Sequence, residues 1–263
     1  MSLKIVTQNH LFGKVNGIHV DDMYDIYKRK EQLDYMIENK IDYVYSQDYD
    51  ISYLAEIPTI KYLELNEDVE NIKTLYLLIN LEGLVISSKY INCIDFQRLP
   101  KLNKIIIGHS NKESISVGTN VKELRINSYD FADLTKINEN SSLEKLHIFY
   151  GPKLKSLEGV ERFPNLKEIV LNSCYRLHNI SNLCNCSNLI KLSIHDCNKI
   201  EDLFDTISGI RNIEEINLYN TETWVKNTIS DLSFLDDLPK LNFFKTDYKI
   251  INNIKHEKVI NIK

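Results

Sequence analysis

The chain has 263 residues, of which 43% are hydrophobic and 26% charged, and its formal net charge is −5. That length and apolar content suffice for a large core. The mild negative balance gives no general attraction to nucleic acid or an anionic membrane, and the absence of any run of about 18 apolar residues argues against a transmembrane helix.

At the N-terminus, Met1-Ser2-Leu3-Lys4-Ile5-Val6 meets Gln8-Asn9-His10 before an apolar stretch develops. This is a poor signal peptide, so a cytoplasmic location is expected, with secretion as the alternative if a signal has been removed. Lys4–Val6 and Gly17–Val20 are expected to pair as a small hairpin. Asp21 or Asp22 is expected to cap a helix through about Asn39, with Met23, Ile26, Tyr27, Leu33, Met36 and Ile37 on one face. Residues 1–40 are therefore expected to form a cap, hairpin plus helix, over the first layer of the core.

From residue 41 onward one motif recurs: apolar-x-x-apolar-x-apolar. Ile41-Asp42-Tyr43-Val44 is a weak first copy. Clear copies open at Ile60, Leu102, Leu166 and Leu241, each two residues after a proline: Pro58, Pro100, Pro164 and Pro239. Further copies read Ile72/Leu75/Leu77, Val121/Leu124/Ile126, Leu143/Leu146/Ile148, Leu189/Leu192/Ile194 and Ile213/Ile216/Leu218. The middle residues are Leu63, Leu75, Ile105, Leu124, Leu146, Ile169, Leu192, Ile216 and Phe244. The step from Leu75 to Ile105 is long enough to hold a degenerate copy around Leu84-Val85-Ile86. From Ile105 to Ile216 the steps run from 19 to 24 residues. Alternating apolar and polar residues make a short strand with one buried face. Such a strand cannot bury that face alone, so stacked copies are expected to form a parallel sheet. Between the strands, segments such as Leu157–Phe163, Ile180–Leu183, Leu203–Ile207 and Leu232–Leu238 space their apolar residues as short helical or 3₁₀ turns do. Proline after such a turn stops it and biases the preceding residue toward extended geometry. Three residues past the strand's last apolar position stand Cys174, Cys197 and Thr221, small groups expected to point inward. Ile250-Ile251 and Val259–Ile262 are expected to close the far end, over residues 249–263.

The repeat length, the hydrophobic spacing and the Cys/Thr mark resemble the leucine-rich-repeat superfamily, especially its short SDS22-like and internalin-like members. The resemblance is strong over 141–247, fair over 51–140 and absent over 1–40. It implies an α/β solenoid of about nine or ten repeats over 41–248, with a curved parallel β-sheet on the concave face and short helical or 3₁₀ turns on the convex face. It also implies non-catalytic protein–protein recognition through the concave face, by a chain monomeric alone and bound to another protein, without nucleic acid, membrane insertion or a cofactor.

Candidate chemistry is sparse. Cys184-Asn185-Cys186, with Cys174, Cys197, His178 and His195, invites a test for zinc, which needs convergent thiolates or imidazoles. The repeat phase instead sends Cys174 and Cys197 into the core and His195 to the opposite face. Five cysteines without a secretion signal read as reduced thiols. Asp236-Asp237 and Glu214-Glu215 are neighbours whose side chains diverge, so neither pair suits acid–base catalysis, and no nucleophile, phosphate-loop or zinc-protease motif is present. The informative surface is the outward side of the strands. One column there reads Glu64, Tyr76, Ile106, Arg125, His147, Val170, Ser193, Asn217 and Lys245; the next reads Asn66, Leu78, Gly108, Asn127, Phe149, Asn172, His195, Tyr219 and Asp247. Arg, His, Asn and exposed aromatics are the composition of recognition surfaces, and Arg125, His147, Phe149, Tyr150, Asn172, His195, Asn217 and Tyr219 are the expected partner-binding residues. Abundant Lys, Ile and Asn with scarce Arg and Gly point to an AT-rich, bacterial genome. An intracellular binding protein, such as one conferring immunity to a toxin, is the first reading; a secreted internalin-like adhesin or effector is the alternative.

Overall fold

The computed structural model describes residues 4–6, 9–20, 26–65, 68–108, 114–221, 227–251 and 256–261. The chain divides into two units, Met1–Gly108 with Val117–Val121, and His109–Ser116 with Lys122–Lys263.

In the first unit the strands are β1 (Lys4–Val6), β2 (Asn9–His10), β3 (Gly13–Lys14), β4 (Gly17–Val20), β5 (Tyr43–Ser46), β6 (Tyr62–Leu65), β7 (Gly83–Ile86) and β8 (Lys104–Ile107). β1 pairs antiparallel with β4, the pairing expected of the hairpin, and β4 to β8 then run parallel in chain order. The parallel part of the sheet thus begins at Gly17, ahead of the first recognisable repeat. β2 and β3 form a separate antiparallel ribbon with Leu11 and Phe12 at its tip. Helix α1 (Ile26–Glu38) links β4 to β5, and 3₁₀ turns at Ser52–Glu56, Ile72–Leu77 and Phe96–Arg98, with the single helical turn α2 (Ser88–Ile91), lie between the later strands. In the second unit the parallel order is β9 (Glu123–Ile126), β10 (Lys145–Ile148), β11 (Glu168–Asn172), β12 (Lys191–His195), β13 (Glu215–Tyr219), then β15 (Phe243–Thr246) and β17 (Val259–Asn261). β14 (Thr228–Ile229) and β16 (Lys249–Ile250) pair beside it, and 3₁₀ turns with helix α3 (Leu203–Gly209) make the returns.

The alternation does what the pattern requires. Ile18, Val44, Leu63, Leu84 and Ile105 share one register across the first unit, and Leu124, Leu146, Ile169, Leu192, Ile216 and Phe244 share it across the second. All are fully buried. Each such Leu or Ile contributes about 1.5–3 kcal/mol relative to an exposed position, and no single strand gains that without its neighbours.

The prolines occupy one position of one turn. Ile60 N donates to Ile57 O at 3.5 Å, Leu102 N to Leu99 O at 3.1 Å, Leu166 N to Phe163 O at 3.0 Å and Leu241 N to Leu238 O at 3.2 Å. Proline is the second residue of each turn, where its fixed φ suits and its missing N–H is not needed. The residue before it is buried and leaves the helical region without becoming fully extended, as at Leu99 (φ −124°, ψ 64°) and Phe163 (φ −118°, ψ 68°). With or without that proline, asparagine at the third position ties successive turns together, as Asn165 does to Ser141 O at 2.8 Å. Asn80, Asn188 and Asn212 donate from Nδ2 to Pro58 O, Pro164 O and Ser187 O at 2.9, 2.9 and 2.6 Å.

Four expectations need correction. Ile72/Leu75/Leu77 is a 3₁₀ turn and β7 is the strand, so the middle residue of that copy is Leu84. A spacing of three fits a 3₁₀ turn as well as the motif; Asn71, in the left-handed region at φ 56°, starts the turn, Leu75 packs inward and Leu77 is 62% exposed. Tyr76 and Leu78 therefore leave the outward columns, and Leu78 is buried. On α1, Leu33 and Met36 face the core, but Ile37 lies a further 100° round the helix and is exposed. The expected caps Asp21 and Asp22, with Met23, lie outside the described residues, as does Asn66. Thr221 is exposed rather than inward, because its N–H and Oγ1 bind the Asp196 carboxylate at 2.6 and 2.8 Å.

Candidate recognition face

Three rows of side chains cross the outward face of the second unit. The row one place before the buried marker alternates in sign: Glu123, Lys145, Glu168, Lys191, Glu215. Lys145 Nζ lies 3.5 Å from Glu168 Oε2, and Lys191 Nζ lies 3.9 Å from Glu168 Oε1 and 3.5 Å from Glu215 Oε1. Opposite charges on adjacent strands are favourable cross-strand pairs. At the centre, His147 Nε2 sits 3.2 Å from Glu168 Oε1. The adjacent His147 imidazole, then the two lysines, draw the Glu168 carboxyl down to about 2 although burial opposes them.

The second row reads Arg125, His147, Val170, Ser193, Asn217 and Lys245, and the third continues through Asn172, His195 and Tyr219, which stand side by side. The structure brings the expected residues into two groups. In one, the Arg125 guanidinium stacks 3.7 Å over the Phe149 ring, its Nε donates to Asn127 Oδ1 at 2.8 Å, and His147 meets the Phe149 edge at 6.3 Å. Such a cation–π contact orients a ring and an otherwise mobile arginine together. In the other, His195 packs edge-on to Tyr219 at 4.8 Å, and burial pushes the His195 imidazole below its usual range, which favours the neutral ring at pH 7.

Not every expected residue is available. Asn217 is buried, and its amide donates to Ser193 Oγ at 3.2 Å and Glu215 Oε1 at 2.8 Å, so it braces the sheet. Asn172 Oδ1 accepts from Ser173 Oγ at 2.7 Å. Tyr150 lies past the strand end and is 44% exposed, edge-on to exposed Tyr175 at 6.3 Å. The charged row and Tyr175 were missed at the level of sequence. The row's signal was there in the alternating sign one place before each marker.

Cys174 and Cys197 are buried, with Sγ 3.6 Å from Asn172 O and 3.2 Å from His195 O. The neighbouring Cys197 thiol and burial push the Cys174 thiol well up, and burial pushes Cys186 up to about 12. Thiols held protonated are poor ligands and nucleophiles. Among the described residues, no three His, Cys, Asp or Glu side chains converge as a metal site, and no helix is long and apolar enough to cross a membrane.

In the first unit the row one place before the buried marker is covered by its own chain. Phe12 stacks on Tyr62 at 4.9 Å, meets Tyr43 at 6.3 Å, and lies where a Cβ on Gly83 would approach its ring to 2.5 Å. Lys104 Nζ lies 5.6 Å from the Phe12 centroid and donates to Leu11 O at 2.7 Å. Ile106, expected in the outward column, is fully buried.

No protein-family model matches the chain, and no curated protein matches it. Among solved structures, a leucine-rich-repeat protein of Leptospira interrogans is similar at 14% identity and a TM-score of 0.52, over 82% of this chain and 58% of that one. An internalin of Listeria monocytogenes is similar at 16% identity and a TM-score of 0.44, over 82% of this chain and 71% of that one. The stacked parallel strands, the recurrent turn and the likeness to the Leptospira protein agree: the chain has the leucine-rich-repeat fold.

Proposed function

We propose that this chain is a non-catalytic recognition protein that binds another protein through the outward face of β9–β13. The observation that supports this most is the Arg125–Phe149 stack beside the His147–Glu168 pair, in row with His195 and Tyr219. It offers aromatic edges, a positioned guanidinium and a neutral imidazole on a rigid scaffold, the chemistry that interface hot spots favour. The two lysines of the charged row beside it are paired within the sheet, so the row supplies register more than attraction. Arg125, His147, Phe149, His195 and Tyr219 form the centre and Tyr150 the rim, with Asn172 and Asn217 holding the centre in place. In this reading the bound partner is a protein, and the chain is an intracellular bacterial binder such as a toxin-immunity protein. A secreted adhesin or effector is the second reading, favoured by the internalin-like spacing of the repeats.

Affinity capture with the purified chain, followed by mass spectrometry, is expected to recover one stoichiometric protein partner. The double substitution Phe149→Ala/Tyr219→Ala is expected to weaken that complex more than tenfold with the fold intact. Unchanged affinity, or turnover of a small molecule by the chain, contradicts the proposal.

A further inference from the structure

The loops that follow β9, β10, β11 and β12 repeat every 23 residues and are tied together by backbone hydrogen bonds. Lys155 N donates to Ala132 O at 2.7 Å, His178 N to Lys155 O at 3.1 Å and Glu201 N to His178 O at 3.0 Å. Side chains at equal phase therefore stack. One row reads Ala132, Lys155, His178, Glu201. The row two residues earlier reads Asp130, Lys153, Arg176, Lys199. Its first step is neutral, with Lys153 Nζ 2.7 Å from Asp130 Oδ2. The next two are not: among the described residues, Arg176, Lys199 and Lys155 form no ion pair. These three cations surround an open cleft of about 700 Å³, together with His178, Asn198 and Glu201.

Like charges on adjacent rungs repel, and this cluster stands in a chain whose net charge is −5. Other repeat lysines, such as Lys61, Lys145, Lys167 and Lys191, are matched to a carboxylate. Glu201 offsets one of the three positive charges at the cleft, leaving an excess of two. We propose that this cleft binds a phosphate monoester. A phosphate monoester carries about −1.5 to −2 charge at pH 7 and three acceptor oxygens, which matches both the excess charge and the donors: the planar fork of Arg176 and two point-charge ammoniums. A single carboxylate, with one charge and two oxygens, leaves a cation unmatched. His178 Nδ1 lies 3.2 Å from the Arg176 backbone O, which holds the ring at the cleft. The site lies on the turn edge of the repeats, so it adds a second ligand to the protein-binding face.

Titration of the full chain with inorganic phosphate and with O-phosphoserine, followed by amide shifts in two-dimensional NMR at constant ionic strength, tests the assignment. Saturable shifts centred on Arg176, His178 and Lys199 are expected for both probes, and weaker ones for acetate and succinate. Arg176→Gln/Lys199→Gln is expected to weaken phosphate binding at least tenfold with an unchanged unfolding midpoint. The charge-matched control Lys73→Gln/Lys240→Gln is expected to leave it unchanged. Linear, unsaturating shifts, equal effects from sodium chloride, succinate binding as tight as phosphate, shifts centred elsewhere, or equal loss in both variants overturn the proposal; the wild-type titration decides even if the variant does not fold.

Discussion

The two outward faces share one strand register and differ in what lies on them. In the first unit the row before the buried marker is Gly17, Tyr43, Tyr62, Gly83 and Lys104, and Phe12 from the β2–β3 ribbon rests on it. In the second unit the same row is Glu123, Lys145, Glu168, Lys191 and Glu215. Gly83 opens room for the Phe12 ring, Gly17 for the Tyr43 ring, and tyrosine supplies the platform on which Phe12 rests. Alternating charges instead satisfy one another along the sheet, leaving the adjacent aromatic rows for other work. A single repeat pattern thus builds both a self-covered row and a recognition face, and the choice is made by the residues one place before each buried marker.

Substitutions can break this contrast. Gly83→Val is expected to have the largest effect, about 1–3 kcal/mol of destabilisation, because its Cβ would meet the Phe12 ring at 2.5 Å and Tyr62 at 3.0 Å; urea unfolding measures it. Next, Glu168→Gln is expected to cost about 1–2 kcal/mol after allowance for solvent screening. The sign follows from the lowered carboxyl: its stabilisation is complete above the ordinary value of 4.5 and is lost as pH falls toward 2. Unfolding curves of the wild type and Glu168→Gln should therefore converge in acid and diverge at neutral pH. Phe12→Ala is expected to cost about 1 kcal/mol for a half-buried ring, to expose Tyr43 and Tyr62 to solvent by fluorescence quenching, and to leave partner affinity unchanged. Tyr150→Ala is expected to change stability by less than about 0.5 kcal/mol, as exposed positions do.

Much of the scaffold was legible because its signals are local. Proline reports the turn, and the Leu/Ile alternation reports the strand; both were readable from Pro100–Ile107 alone. The segment 72–77 failed because a spacing of three is shared by a 3₁₀ turn and the motif, and the left-handed Asn71 that decides between them leaves no apolar trace. Thr221 failed because its partner, Asp196, sits 25 residues away. On the recognition face, the Arg125–Phe149 and His195–Tyr219 contacts followed from register once the strands were aligned. The burial of Asn217 did not, because it depends on Ser193 and Glu215 accepting from one amide. The Phe12 contact was also illegible: ring and platform are separated by about 30 to 70 residues, and only Gly83 marked the space it fills.

Hydrogen exchange on the complex with the captured partner tests the contrast most directly. New protection is expected in peptides spanning Arg125–Asn127, His147–Tyr150, Asn172–Tyr175 and His195–Asp196, with peptides over Gly17–Val20, Tyr43–Ser46 and Tyr62–Leu65 unchanged. Protection confined to those first-unit strands, or to the 3₁₀ turns of the return segments, would contradict the assignment of the recognition face to β9–β13.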